Sequence, residues 1–335
     1  MIKNKDERSI GSLLTKSWEF YIFILLAVVF LVNFILSPEL FRAGNLLDAT
    51  LLFMENSIIA LPMAIAIISG IIDISVASIA ALSGVVLGVC FKAGLNIWLC
   101  MIIGLLAGLF AGFLNGLIIT KLKMPSIIVT LAMMFLYRGI CYMLLGDTAI
   151  RNLPERFGII GGAVEVSLVP IPFIIYIVLI IFFGLLLHFT GFGRKIYAIG
   201  SNTATALYAG IAVDKIKLII NSVLGLVAGL SGILLTSRIG SARPDIAQGN
   251  EMAVITICLL GGIYIFGGRG SIVGVVISSF IIGYIYYGLA ILRVQDTLIS
   301  IITGCVLITA LVVPTIISRI NEKRYISSEL RKEKG

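Results

Sequence analysis

Long apolar runs alternate with short polar breaks along almost the whole chain, and these runs define the expected elements. Crossing about 30 Å of hydrocarbon takes roughly 20 mostly apolar residues in a helix. Runs of that kind fall at about 20–36, 51–69, 75–90, 97–119, 127–145, 168–189, 218–236, 252–266, 272–291 and 298–317. Lipid offers backbone amides no partners, so spanning segments are helices or strands of a closed barrel. These runs are too long and too evenly apolar for alternating barrel strands. The pattern predicts an all-α, polytopic transmembrane bundle of about ten helices. It divides the chain into an N-terminal segment 1–19, a membrane domain 20–317 containing a polar interval 190–217, and a tail 318–335.

Composition agrees with the pattern. Hydrophobic residues make up 59% of the chain and charged ones 13%, with mean hydropathy +1.13, whereas soluble domains carry about 25% charged residues. A water-soluble protein is excluded. The polar start is followed by no small-residue cleavage site, so the first apolar run is expected to remain in the mature protein. With ten spans, 17 of the 25 Lys and Arg lie on the side of the N-terminus, seven lie opposite, and Arg138 sits within a span. Positive residues concentrate on cytoplasmic loops, which puts both termini in the cytoplasm. The net charge of +8 therefore reports sidedness rather than nucleic-acid binding. The five cysteines lie in apolar runs without paired spacing, as expected of small helix-packing residues. His188 ends a run and is given no proton-relay role.

Two pairs of runs are separated by unusually short, glycine-rich breaks: Gly70-Ile71-Ile72-Asp73 and Gly267-Gly268-Arg269-Gly270. Non-helical backbone at membrane depth must face protein or a watery cavity, so broken helices of this sort line pathways. An offset of 196 residues brings Glu55 onto Glu251, Asp73 onto Arg269 and Ser75 onto Ser271, the trace of a parallel internal duplication. Gly104, Gly108, Gly112 and Gly116 recur every fourth residue, and Gly225 and Gly229 repeat that spacing. In lipid such stripes let helix backbones approach closely.

Candidate chemistry is sparse. The sequence contains no GxxxxGK[ST] loop, no HExxH and no GxSxG, so nucleotide hydrolysis by a P-loop and the commoner protease constellations are not expected of this chain. Glu55, Asp73, Arg138 and Glu251 are the ionisable residues at or near membrane depth, where charge is costly and functional by default. Structural roles are the stronger reading for each, because Glu55 and Glu251 sit at helix starts favoured by the dipole and Arg138 can snorkel outward. Within 190–217, Asn202 or Thr203 is a plausible N-cap and Gly210 a plausible stop for a short cytoplasmic helix. Tyr197, Leu207 and Tyr208 are expected to be exposed there beside Arg194 and Lys195, forming a docking surface for a soluble partner.

Three stretches carry a family resemblance over roughly residues 50 to 315. Gly70-Ile71-Ile72-Asp73-Ile74-Ser75-Val76-Ala77-Ser78 is similar to G-x-I-D-[LI]-S-V-G-S, departing from it at Ala77. The second runs from Gly193-Arg194-Lys195-Ile196-Tyr197-Ala198-Ile199-Gly200-Ser201-Asn202 to Ala206, Gly210 and Ile211, and the third from Gly261-Gly262 through Phe266-Gly267-Gly268-Arg269-Gly270-Ser271 to Gly274. Together they resemble the permease subunits of bacterial ABC importers for ribose, other monosaccharides and autoinducer-2. Ala77, with Leu144-Leu145-Gly146-Asp147 and Ser241-Ala242-Arg243, looks closest to the autoinducer-2 and rhamnose branches.

The resemblance implies a multi-pass protein of the bacterial inner membrane. It would work with a second permease chain, either a copy or a paralogue, with cytoplasmic ABC ATPases that bind ATP and Mg, and with an extracytoplasmic solute-binding protein. This chain would hold no cofactor, metal or catalytic residue. Gly193, Arg194, Tyr197, Ala198, Gly200, Asn202, Ala206 and Gly210 would form the element coupled to the ATPase. Asp73, Ser75, Ser78 and Ser271, near the breaks, are expected to hydrate a path for a polyhydroxylated solute. The alternative is an ion-coupled secondary transporter or channel for a small polar solute; a membrane-embedded enzyme or scaffold would need catalytic residues or a soluble portion that the chain lacks.

Overall fold

The computed structural model describes residues 18–36, 45–162 and 169–295, with isolated positions between 298 and 308. The tenth expected span, 298–317, therefore lies almost wholly outside the described residues, as does the tail. Within the described residues the regular structure is helical, interrupted by a single isolated bridge between Ile150 and Ala242. Six helices are long and apolar enough to cross a membrane: α1 (Trp18–Leu36), α4 (Ile97–Lys121), α5 (Ser126–Leu145), α6 (Ile171–Phe189), α9 (Val213–Ile239) and α11 (Ile272–Ile291). Three more expected spans take other forms. The second is bent by 61° between helical turns at Asn45–Leu52 and α2 (Met54–Ile68). The third, α3 (Val76–Lys92), has 17 residues.

The eighth expected span requires correction. Instead of 252–266, α10 runs over Asn250–Leu260 and has 11 residues, about 16 Å at 1.5 Å per residue, half the thickness of the hydrocarbon. The reason is local. Gly262 takes φ +84° and donates to Leu259 O, while Ile263 donates to Cys258 O, the paired capping bonds that close a helix on a left-handed residue. Gly70 ends α2 in the same way, with φ +82° and bonds from Gly70 to Ile67 O and from Ile71 to Ala66 O.

The duplication seen in the sequence recurs in the elements. α2 and α10 begin at Met54 and Asn250, and α3 and α11 begin at Val76 and Ile272; both pairs are 196 residues apart. α10 is four residues, one turn, shorter than the 15-residue α2. The two half-length helices lie against each other, with Cys258 Sγ 3.3 Å from Ala60 O.

The glycine stripe explains the closest helix pair. Gly104, Gly108, Gly112 and Gly116 are on the inner face of α4 and meet α9 and α3 backbone to backbone. A Cβ on Gly108 would stand 2.7 Å from Gly225 O, and one on Gly112 2.8 Å from Gly225 Cα. Opposite faces of the outer helices carry Phe23, Ile35, Phe110, Phe135 and Phe182, all exposed, as a lipid-facing surface requires. On the far side α1 is held to α11 and its break by Trp18 Nε1 donating to Leu260 O and Asn33 Nδ2 donating to Tyr284 O.

Candidate functional site

The first break, residues 69 to 75, is built around Asp73, which is buried with Ser75. Asp73 Oδ1 accepts from Ser75 N at 2.8 Å and from Ser75 Oγ at 2.6 Å. Its Oδ2 accepts from Asn115 Nδ2 at 3.1 Å, and the second Asn115 N–H goes to Ser75 Oγ at 2.8 Å. Tyr137 Oη shares its proton between Asn115 Oδ1 and Ala111 O, at 2.9 and 2.8 Å. The unwound backbone finds partners on α5: Ile72 N donates to Ser126 Oγ and Ile74 N to Thr130 Oγ1, which in turn donates to Ile72 O. Buried polar backbone needs such partners, so side chains of α5 and of the break itself stand in for helical bonds that the break lacks. Ser78 lies one turn into α3, also buried. Ser271 is elsewhere, at the second break, where it caps α11 by accepting from Gly274 N and donates to Glu19 Oε1 at 3.1 Å.

The polar interval after α6 folds into two helices, α7 (Gly191–Ser201) and α8 (Thr203–Tyr208). The sequence pointed to the second alone. α9 then starts at Val213, five residues before the expected span, and takes over the end of the interval. Asn202 caps α8, its side chain accepting from Thr205 N at 3.0 Å, and Gly210 ends it at φ +78°. Gly193, Ile196 and Ile199 are the buried side of α7, a three-residue spacing that keeps them on one face.

That face seats against both breaks at once. A Cβ on Gly200 would overlap Ile68 O and stand 2.5 Å from Gly268 N. Gly268 N itself donates to Ile68 O at 2.8 Å, so the end of α2, the second break and α7 meet at one point. Tyr197, expected on the exposed side, is half-buried and donates to Gly270 O at 2.7 Å. Arg194, Lys195, Asn202, Leu207, Gly210 and, at 91% exposure, Tyr208 are exposed, while Ala198 is half-buried and Ala206 buried. Asn115, Tyr137, Ser126 and Thr130 were invisible as site residues from the sequence: each is an ordinary polar residue in an apolar run until Asp73 is placed beside it.

At the other end of the bundle the ionisable residues find partners. Glu55 Oε1 accepts from Arg238 Nε at 2.7 Å, joining the first turn of α2 to the last of α9. Arg138 Nη1 donates to Pro244 O and Ile246 O at 2.6 and 2.9 Å. Arg243 is paired through two nitrogens with Asp245. Hydrogen bonds and charge from Arg243 hold the Asp245 carboxyl below the usual carboxylate range. A carboxylate so depressed adds stability that is complete above its unfolded value of about 3.9 and is lost as pH falls through the lower folded value. With both side chains largely exposed, screening limits this to about 1 kcal/mol or less. Arg243→Gln is expected to move the Asp245 midpoint, read by carboxyl NMR, up toward about 3.9; an unmoved midpoint would remove Arg243 as the cause.

Comparison with known proteins places this architecture. A family profile described as a branched-chain amino acid transport system / permease component matches residues 45–311. The chain is 31% identical over 298 residues to the autoinducer 2 import system permease protein LsrD of Enterobacter sp. (strain 638), covering 87% of this chain and 91% of the relative. It is 35% identical over 271 residues to LsrC, a permease protein of the same import system, from Photorhabdus luminescens (80% and 82% covered). It is also 35% identical over 289 residues to the ribose import permease protein RbsC of Bacillus subtilis (strain 168), covering 86% and 90%. No solved structure matches significantly. With the profile spanning both breaks and the helices between them, the chain belongs to this family of integral membrane transport permeases.

Proposed function

We propose that the chain is the membrane-spanning subunit of an ATP-driven ABC importer in the bacterial inner membrane, with both termini cytoplasmic, and that it carries a small neutral sugar-like solute. The relatives' names, ribose and autoinducer 2 import, support that solute class. In this reading the chain works as one of two permease subunits, a copy or a paralogue. A binding protein delivers the solute outside, and the partner ATPases hold ATP and Mg inside.

The observation that carries the proposal is the three-way contact of α7 with both helix breaks. A push on the α7–α8 face reaches Ile68 and Gly268 through Gly200 without an intervening flexible side chain. The face offers a partner exposed Leu207 and Tyr208 beside Arg194 and Lys195. Coupling requires an element with two packings of similar energy, biased by ATP's differential affinity for one of them. The breaks supply that element. Asp73, Ser75, Ser78 and Ser271 become polar lining of the path when the packing changes; in the packing described here the first three are closed off from solvent.

The test is purification of the tagged chain from its native host with identification of every copurifying polypeptide. Recovery of a P-loop ATPase, with solute uptake into vesicles that depends on ATP, supports the importer. Uptake by the lone chain on an ion gradient would replace it with a secondary carrier. Tyr208→Ala is expected to leave the bundle intact, since its side chain touches little, and to lower ATPase recovery about tenfold, because interface tyrosines anchor binding disproportionately. Gly200→Leu is expected to lower uptake at least about tenfold at normal membrane levels, because forcing a side chain between packed backbones costs about 1–3 kcal/mol.

A further inference from the structure

At the end of the bundle away from α7, two chain segments line an open cavity of about 540 Å³. One is the last turn of α5 with the loop after it and contributes Tyr142, Asp147 and Arg151; the other follows α9 and contributes Ser241, Arg243 and Asp245. The Ile150–Ala242 bridge ties the two together, with backbone bonds of 3.0 and 2.9 Å in both directions. The second segment is braced from behind. Arg138 holds the carbonyls of Pro244 and Ile246, and Ala242, with no exposed surface, fills the space left by the missing side chain of Gly88. Along it Ala242 and Ile246 are buried behind the wall, while Ser241, Arg243, Pro244 and Asp245 line the cavity. This concavity is a held shape.

Its charge is balanced: two arginines and two aspartates line it, with hydroxyl groups and one aromatic ring between them. Small-molecule sites are concavities of about 300–1,000 Å³ in which a few placed polar groups fix orientation, and this volume falls within that range. A lining of zero net charge offers a net anion or cation little long-range attraction. A neutral molecule with many hydroxyls gains donors from the guanidinium groups and acceptors from the carboxylates. The Arg243–Asp245 pair is already formed, with Nε and Nη2 engaged, so its remaining N–H groups are pre-oriented. The Tyr142 ring, 38% exposed, offers a π face of negative potential to the polarised C–H face of a sugar ring.

We propose that this cavity is an outer reception site for a neutral polyhydroxylated solute, occupied before the solute reaches the helix breaks. The solute's class rests on the importer reading; the site rests on the cavity. It is weak by construction, since its charged groups stay partly in water.

The test is saturation-transfer NMR on the full chain in lipid nanodiscs with D-ribose and L-rhamnose as probes, and ribose 5-phosphate as the charged control. Transfer to a neutral sugar is expected, reduced about tenfold in Asp245→Ala and in Asp147→Ala, the loss that follows removal of one charged hydrogen-bonding partner. Gly139→Ala, on α5 with nothing within 4 Å of an added Cβ, should leave it unchanged. Transfer that is absent, or equal in wild type and both aspartate variants, overturns the site. Preferential labelling of ribose 5-phosphate overturns the neutral class. Uptake lost in the variants with transfer intact would make the cavity a seat for the delivering protein instead, and also overturns the proposal. ATPase recovery is untouched by these substitutions, so failure of the importer reading shows separately, as a chain that purifies alone.

Discussion

Gly112→Leu is expected to eliminate most folded protein from the membrane. The Cβ of any residue at 112 would overlap Asn221 O and come within 2.8 Å of Gly225 Cα. Neither obstacle is a side-chain tip that can swing away; both are backbone of α9, the most deeply set of the long helices. Accommodating leucine means parting α4 from α9 along the whole stripe, because Gly108 and Gly116 press on the same helix one turn to either side. In lipid that contact has no hydrophobic effect to replace it, since the tails are as apolar as the leucine. A loss of about 3 kcal/mol or more follows, the upper end of measured overpacking. Gly139→Leu and Gly184→Leu are the controls. Both positions are helical, in α5 and α6, with nothing within 4 Å of an added Cβ, and replacing a mid-helix glycine there is expected to be neutral or to stabilise by about 0.5–1 kcal/mol. Thermal unfolding in detergent, followed by size-exclusion chromatography, separates the cases. A Gly112→Leu chain that melts with the Gly139→Leu chain would show that the stripe is not the basis of the contact.

Asp73→Ala is expected to abolish uptake and to lower stability by about 3 kcal/mol. The substitution strips acceptors from Ser75 N, Ser75 Oγ and one Asn115 N–H together, and each buried donor left unpaired costs about 1–3 kcal/mol. The damage lies where the chain has no helix to fall back on, because residues 70 to 75 depend on Asp73, Ser126 and Thr130 for bonds that a continuous helix would have supplied itself. Asp73→Asn separates shape from acceptor count. It retains an oxygen for Ser75 but turns an N–H toward the N–H of Asn115, so an intermediate loss is expected. Tyr137→Phe, which removes only the shared hydroxyl donor at the edge of the network, is expected to cost about 1 kcal/mol. Uptake and melting temperature are measured on all three. Wild-type uptake by Asp73→Ala would mean that the break neither lines nor gates the path.

Much of this was legible because it is local. The long spans follow from hydropathy summed over some twenty residues, and the stripe at 104, 108, 112 and 116 from the four-residue spacing of one helix face. The cap at Asn202 and the stop at Gly210 follow from the backbone angles those residues favour. The repeat was visible as three aligned positions and reappears as two pairs of helix starts at the same offset. The expected end of α10 differs for a reason that is also local: hydropathy carries the run on through Gly261-Gly262, whereas a left-handed glycine stops a helix whatever the hydropathy beyond it.

What the tertiary structure alone decided is partnership. Glu55 meets Arg238 across 183 residues, Arg138 finds the carbonyl of Pro244 across 106, and Asp73 meets Asn115 across 42. The sequence marked Glu55, Arg138 and Asp73 as costly in a membrane, which is a property of one residue. Which group relieves the cost depends on the register in which the glycine-faced helices settle, a sum over many weak backbone contacts that no single position encodes. The cavity lined by Asp147 and Asp245 has the same origin. Its two walls are distant from each other along the chain, and they become one site because the Ile150–Ala242 bridge ties them together.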